Sequence, residues 1–193
     1  MINDERMVAF INSFDKGNTS FLNQIEKEAR ADAVPIIRTE TQTLLRFLMA
    51  AHRPMEILEV GTAVGFSALL MQEYAPAGAH VTTIEKYEKR IPIARENFKR
   101  AGKEDAITFL CGDATEILKE LQGEYDFIFM DAAKAQYIHF LPEVTRLLKK
   151  GGLLVSDNVL QDGDVLESRF AVTRRNRTIH ARICLLYTSP SPR

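Results

Sequence analysis

The sequence predicts an α/β fold, a parallel sheet with helices on both faces. Three observations carry that expectation. From residue 55 onward, short apolar stretches alternate with helix-like segments until five stretches have appeared. Those stretches are nearly all apolar (Ile57, Leu58, Val60; Phe127, Ile128, Phe129, Met130), as strands are when both faces are covered. The chain of 193 residues, 46% apolar and 26% charged, has the size and composition of one ordinary globular domain, which excludes a disordered or fibrous chain.

The first third reads as helix. Residues 3–13 and 20–31 carry spaced apolar positions among charges, the second with Asn18, Thr19 and Ser20 ahead of it as N-cap candidates. Val34-Pro35 interrupts the pattern. A third helix is expected over 39–51 with Leu44, Leu45, Phe47 and Leu48 inward, ended by His52-Arg53-Pro54. Then come a strand over 55–60, a helix over 67–74, a strand over 80–85 and a helix over 88–101 ended by Gly102. A strand over 106–111, a helix over 114–121, a strand over 125–130, a helix over 136–149 and a strand over 153–156 complete the series. Repeated βαβ units require parallel pairing. The organisation expected is a single domain over 1–183: a helical cap (1–53), a βαβ core (54–160) and a basic segment (161–183).

The net charge of −1 hides an asymmetry. Residues 168–193 hold six arginines and no acid, whereas the preceding 167 hold 19 basic and 26 acidic side chains. A basic end on an acidic body marks a candidate polyanion contact, although charge runs are usually solvated helix faces. No apolar run approaches the roughly 18–20 residues needed to span a bilayer, so no membrane partner is expected. The N-terminus carries no apolar signal core, and two cysteines, Cys111 and Cys184, are too few for a disulfide framework. The expected compartment is the reducing cytoplasm.

In parallel sheets ligands bind beyond the carboxyl ends of the strands. The first strand ends in Gly61-Thr62-Ala63-Val64-Gly65-Phe66-Ser67, a tight turn that lacks the GxGxxG dinucleotide fingerprint. Glu85 ends the second strand, 24 residues after Gly61, where an acid can accept ribose hydroxyls or simply be solvated. Gly112-Asp113 ends the third; Asp113 suits both a helix cap and an adenine amino group. Asp131 ends the fourth and Asp157-Asn158 the fifth. Two carboxylates and an amide carbonyl are hard ligands suited to Mg²⁺ or Ca²⁺, and the same residue types are also ordinary turn caps.

Taken together, ILEVGTAVGFS, IEKYEKR, CGDA, FIFMDAAKAQY and GGLLVSDNVL resemble the cation-dependent class I O-methyltransferases, the catechol and caffeoyl-CoA methyltransferase family. Val34-Pro35-Ile36-Ile37 and Asp157-Asn158-Val159-Leu160 followed by Asp162-Gly163 are most similar to the bacterial tRNA 5-hydroxyuridine methyltransferases of that family. The resemblance implies a Rossmann-like sheet and an S-adenosylmethionine pocket lined by Glu59, Gly61 and Ser67 and covered by Ile37. It also implies Glu85 on the ribose, Gly112 and Asp113 on the adenine, and Asp131 near the methionine portion. Asp131, Asp157 and Asn158 would ligate Mg²⁺ or another divalent cation, and Lys134 matches the lysine proposed as general base in the catechol enzymes. A solvated helix-start lysine is the plain alternative for Lys134. Dimers are common among these look-alikes.

Arg169, Arg174, Arg175, Arg177, His180 and Arg182 incline the expected acceptor toward tRNA. The alternative is a small catechol; a nucleotide-dependent oxidoreductase and a non-catalytic nucleotide- or RNA-binding domain are the rivals of other classes. The family closes its sheet with further antiparallel strands, for which this chain has no sequence. Residues 184–193, CLLYTSPSPR, resemble translated adapter read-through, so the natural sequence is expected to stop near Ile183 and the final strands to be missing.

Overall fold

The computed structural model describes residues 4–159. Three helices precede the sheet: α1 (Glu5–Asn12), α2 (Ser20–Ala31) and α3 (Thr39–His52). The side chains of Asp4 and Thr19 cap the first two by accepting from the Arg6 and Leu22 amides. Arg53, left-handed at φ 53°, stops α3 just before Pro54. Strands and helices then alternate: β1 (Glu56–Val60), α4 (Phe66–Tyr74), β2 (His80–Glu85), α5 (Ile91–Arg100), β3 (Ile107–Cys111), α6 (Ala114–Glu120), β4 (Tyr125–Met130), α7 (Tyr137–Leu147) and β5 (Leu148–Ser156).

All pairings are parallel and the order is β3-β2-β1-β4-β5. The chain starts in the middle, builds outward to β3, then crosses back to lay β4 on the other side of β1. That reversal opens a crevice at the carboxyl ends of β1 and β4. Alternate strand residues face opposite layers. Ile57, Val81, Phe127 and Phe129 pack with Leu45, Met49, Leu70 and Phe98 on the layer of α2 to α5. Leu58, Val60, Ile84, Ile128 and Met130 pack with Leu118, Phe140 and Val144 of α6 and α7 on the other.

Three expectations are corrected. Helix α5 starts at Ile91 rather than residue 88, because Pro92 has no amide hydrogen to donate and so sits in the first turn. Strand β5 starts at Leu148 rather than residue 153: Tyr125 pairs with Leu148 and Phe127 with Leu153, so residues 149–152 bulge out of the ladder. Gly152 permits the bulge, since a Cβ there would lie 2.9 Å from the Lys149 carbonyl oxygen. In α3 the inward residues are Gln42, Leu45 and Met49, at helical spacing, while Leu44 and Phe47 are exposed. Helix α1 buries no residue, and Met7, Phe10, Ile11 and Phe14 are all more than half exposed.

Among the described residues no helix is long and apolar enough to cross a membrane. The basic segment 161–183, the tail 184–193 and the expected loss of final antiparallel strands lie outside the described residues.

Candidate active site

At the carboxyl ends of β1 to β4 lies a cavity of about 430 Å³, in the size range that takes a small organic ligand. Its floor is the turn after β1. Gly61 has φ 109°, and a Cβ there would run into the Asp131 carbonyl, 2.7 Å from its carbon. Glycine alone lets this turn pass beneath the tip of β4. Gly65 (φ 85°) starts α4 against the Phe98 ring, which a Cβ would meet at 2.5 Å. Ser67 then stands in the first turn of α4, on the cavity wall.

Glu85 stands at the opposite rim. Its Oε1 accepts from the Lys86 and Tyr87 amides (2.9 and 2.8 Å), and its Oε2 from the Ala63 amide (2.8 Å). A carboxylate has about four acceptor sites, so Oε2 keeps one for a ligand hydroxyl. The Gly112 amide donates to the Glu85 carbonyl at 2.8 Å. Asp113 Oδ1 caps α6 at the Thr115 amide (2.8 Å) and Oδ2 accepts from Lys86 Nζ (3.1 Å). The Thr115 amide, with Lys86 in support, holds that carboxyl below the usual range. Asp113 is thus a helix cap and also part of the wall. Ile37, in the segment joining α2 to α3, covers the cavity with Pro35 and Ile36.

Glu59 is placed differently from expectation. Strand alternation turns it toward the α4 layer with Ile57, so it is fully buried behind the cavity wall rather than on it. Thr83 Oγ1 donates to its Oε2 at 2.5 Å, while Oε1 is buried without a hydrogen-bond partner. Burial pushes its pKa up to about 7; the Ser67 and Thr83 hydroxyls oppose the shift, and the Asp131 and Glu85 charges add to it.

Asp131 and Asp157 follow the last paired residues of neighbouring strands, Met130 and Ser156. The Asp131 amide donates to the Val60 carbonyl and the Asp157 amide to the Met130 carbonyl, both at 2.9 Å. Asp157 is pushed above the usual carboxylate range by burial first and by the Asp131 charge second, with Lys134 opposing. Its Oδ1 accepts from Thr41 Oγ1 of α3 at 3.2 Å. Asn158 follows, exposed and left-handed at φ 52°. Lys134, on a 3-10 turn over Lys134–Gln136, donates to Asp131 Oδ1 (2.7 Å) and to Tyr137 Oη (3.1 Å). Tyr137, fully buried, donates in turn toward the Met130 carbonyl at 2.8 Å, with the Asp157 carbonyl at 3.3 Å.

Among the described residues no three His, Cys, Asp or Glu side chains form a metal cluster. The donors at the tips of β4 and β5 are two carboxylates and one amide. Their chemistry fits a hard divalent cation, and at Asp157 the neighbouring Asp131 charge is offset by Lys134 only in part.

The O-methyltransferase family profile matches residues 13–184. The chain belongs to the O-methyltransferase family. It is 31% identical over 161 residues to a catechol O-methyltransferase of Mycobacterium tuberculosis, covering 82% of this chain and 73% of that protein. It is 35% identical over 127 residues to a catechol O-methyltransferase of Niastella koreensis, covering 64% of this chain and 58% of the relative. The chain thus spans little more than half the length of the latter. The SAH-bound methyltransferase of Podospora anserina superposes with a TM-score of 0.85 at 26% identity, over 96% of this chain and 86% of that one.

Two residues of the site escaped the sequence reading. Tyr137 follows Lys134 by one helical turn, a spacing that offered a signal. Thr41 offered none, because nothing local says that α3 reaches the tip of β5.

Proposed function

We propose that this O-methyltransferase transfers a methyl group from S-adenosylmethionine to a hydroxyl oxygen flanked by a second oxygen, with a divalent cation held by Asp131, Asp157 and Asn158. The reading is supported by Asp131, which lines a cavity whose far rim carries Glu85 and Asp113, and by Asp157 at the neighbouring strand tip, near enough for the Asp131 charge to raise it. Bound S-adenosylmethionine supplies an electrophilic methyl group, and the cation supplies positive charge that makes a bound hydroxyl easier to ionise. Transfer is an in-line displacement: the acceptor oxygen forms the new C–O bond while the C–S bond breaks, and the hydroxyl proton has to leave. Glu85 would accept from the ribose, Gly112 and Asp113 would meet the adenine, and Ile37 and Ser67 would close the pocket. Lys134 Nζ, which Asp131 and Tyr137 hold in place, would take the proton only in its neutral form, after first releasing a proton of its own to solvent.

Two acceptor classes share the required pair of oxygens. The catechol class is favoured by the names of the curated relatives. The tRNA class, through 5-hydroxyuridine with its O5 beside O4, is favoured by Arg169, Arg174, Arg175, Arg177 and Arg182. Parallel assays with radiolabelled S-adenosylmethionine, a catechol and undermodified tRNA, each with magnesium or with EDTA, test the proposal. Magnesium-dependent label in either acceptor supports it and chooses between them; no label in both refutes it. We also propose a homodimer formed through the exposed face of α1 with Leu44 and Phe47 of α3. Light scattering reads this, and a monomer at micromolar concentration refutes it. A free Cys111 suits a cytoplasmic setting.

A further inference from the structure

Gln42 is a polar residue on the buried face of α3, 2% exposed. Its amide is fully engaged. Nε2 donates to the Ile37 carbonyl at 3.0 Å and to Glu26 Oε1 of α2 at 3.2 Å, while Oε1 accepts from Asn18 Nδ2 at 2.6 Å. A glutamine side chain offers two donors and one carbonyl oxygen, so each is used here, and each on a different stretch of chain. The first partner belongs to the strap over 35–37, which lines the cavity. The Val34 amide is tied back to the Ala29 carbonyl (2.8 Å), and the Arg38 carbonyl starts α3 by accepting from the Gln42 amide (2.9 Å). Among the described residues no backbone–backbone hydrogen bond fastens 35–37 between those points. Pro35 has no amide hydrogen to offer.

Gln42 is itself held from behind. Glu26 also takes Arg30 as an i,i+4 ion pair at 2.6 Å. Asn18 Oδ1 accepts from Arg46 at 2.7 Å, and Arg46 pairs with the half-hidden Asp15. Beyond the packing of Ile36 and Ile37 against the core, one amide thus wires the strap to α2, to the turn before it and to α3.

We propose that Gln42 is a positioning residue that clamps the 35–37 strap over the cofactor cavity and so sets the affinity for the adenosyl cofactor. The inference rests on the cofactor reading above. It makes the helical cap part of the cofactor site, although the amide of Gln42 touches no ligand. Releasing the Ile37 carbonyl lets the strap swing off the cavity and leaves the catalytic tips of β4 and β5 in place.

The test compares Gln42→Leu with the wild type by calorimetric binding of S-adenosylhomocysteine, by hydrogen exchange of the Ile36 and Ile37 amides without ligand, and by steady-state kinetics. The expected result is about a tenfold weaker Kd, the worth of one hydrogen bond, and at least tenfold faster strap exchange. KM for S-adenosylmethionine rises, while kcat and the acceptor KM stay within twofold. A folded variant with unchanged Kd and unchanged strap exchange overturns the proposal, as does a loss confined to kcat. If Gln42→Leu does not fold, Asn18→Ala removes the donor to Gln42 Oε1 from a half-buried position and should move Kd and exchange the same way; no change there also overturns it. Failure of the wild type to bind S-adenosylhomocysteine would refute the cofactor reading instead, and strap exchange would still decide the clamp.

Discussion

Glu59→Gln is expected to stabilise this protein at neutral pH and to remove a pH dependence that the wild type carries. The carboxyl is fully buried, one of its oxygens has no hydrogen-bond partner, and its pKa rises from 4.5 to about 7. The native state therefore holds the proton more tightly than the unfolded chain does. Stability then falls as pH rises from the ordinary carboxylate range to about 7 and is flat above it. A rise of that size corresponds to about 3 kcal/mol. Glutamine keeps an acceptor for Thr83 and never ionises, so the variant carries no such penalty. The stability difference between variant and wild type should grow by about 3 kcal/mol from pH 4.5 to pH 8, or several degrees in Tm for a chain of this length. Urea denaturation of both proteins across that range measures it. Parallel curves for the two proteins would refute the reasoning, because they would mean that Glu59 is ionised in the native state at no cost.

Three further outcomes are expected. Gly61→Ala should destabilise by about 3 kcal/mol or more, since it strains a residue at φ 109° and drives a methyl into the Asp131 carbonyl; urea denaturation reads the loss. Tyr137→Phe keeps the buried ring and removes the acceptor that fixes Lys134, so kcat should fall about ten- to a hundredfold while the far-ultraviolet spectrum is unchanged; wild-type turnover would separate Lys134 from the chemistry. Asp131→Ala should abolish methyl transfer in the radiolabel assay, and near-normal turnover would refute the metal assignment.

The alternation of short apolar strands with helices was legible because every strand is covered on both faces, which leaves a continuous apolar run in the sequence. Boundaries were less legible where a local rule competes with periodicity. Pro92 moved the start of α5, and the bulge at 149–152 hid the start of β5 behind two lysines and two glycines. The exposed face of α3 misled for a different reason: Leu44 and Phe47 are as apolar as Leu45, and only packing against α4 chooses among them. The strand-tip acids could be found one by one from sequence. Their environments could not, since they depend on which amide or hydroxyl a distant segment delivers. Glu59 shows the limit: its place in the motif pointed to the cavity, and the pleat sends it into the core.

The acids at this end of the sheet are balanced in four different ways, and the differences argue for where a further cation is needed. Glu85 accepts from three backbone amides. Asp113 has a helix N-terminus and Lys86. Glu59 is buried where the protonated form is favoured. Asp131 has Lys134. Asp157 receives a neutral hydroxyl from Thr41, lies partly buried, and feels the charge of Asp131. Burial and a like charge both disfavour its ionised form, as they do that of Glu59 in the core, so a cation beside Asp157 would relieve a penalty that the Thr41 hydroxyl leaves standing. By that argument the open end of the sheet is short of positive charge at Asp157, opposite the rim where Glu85 and Asp113 have their donors.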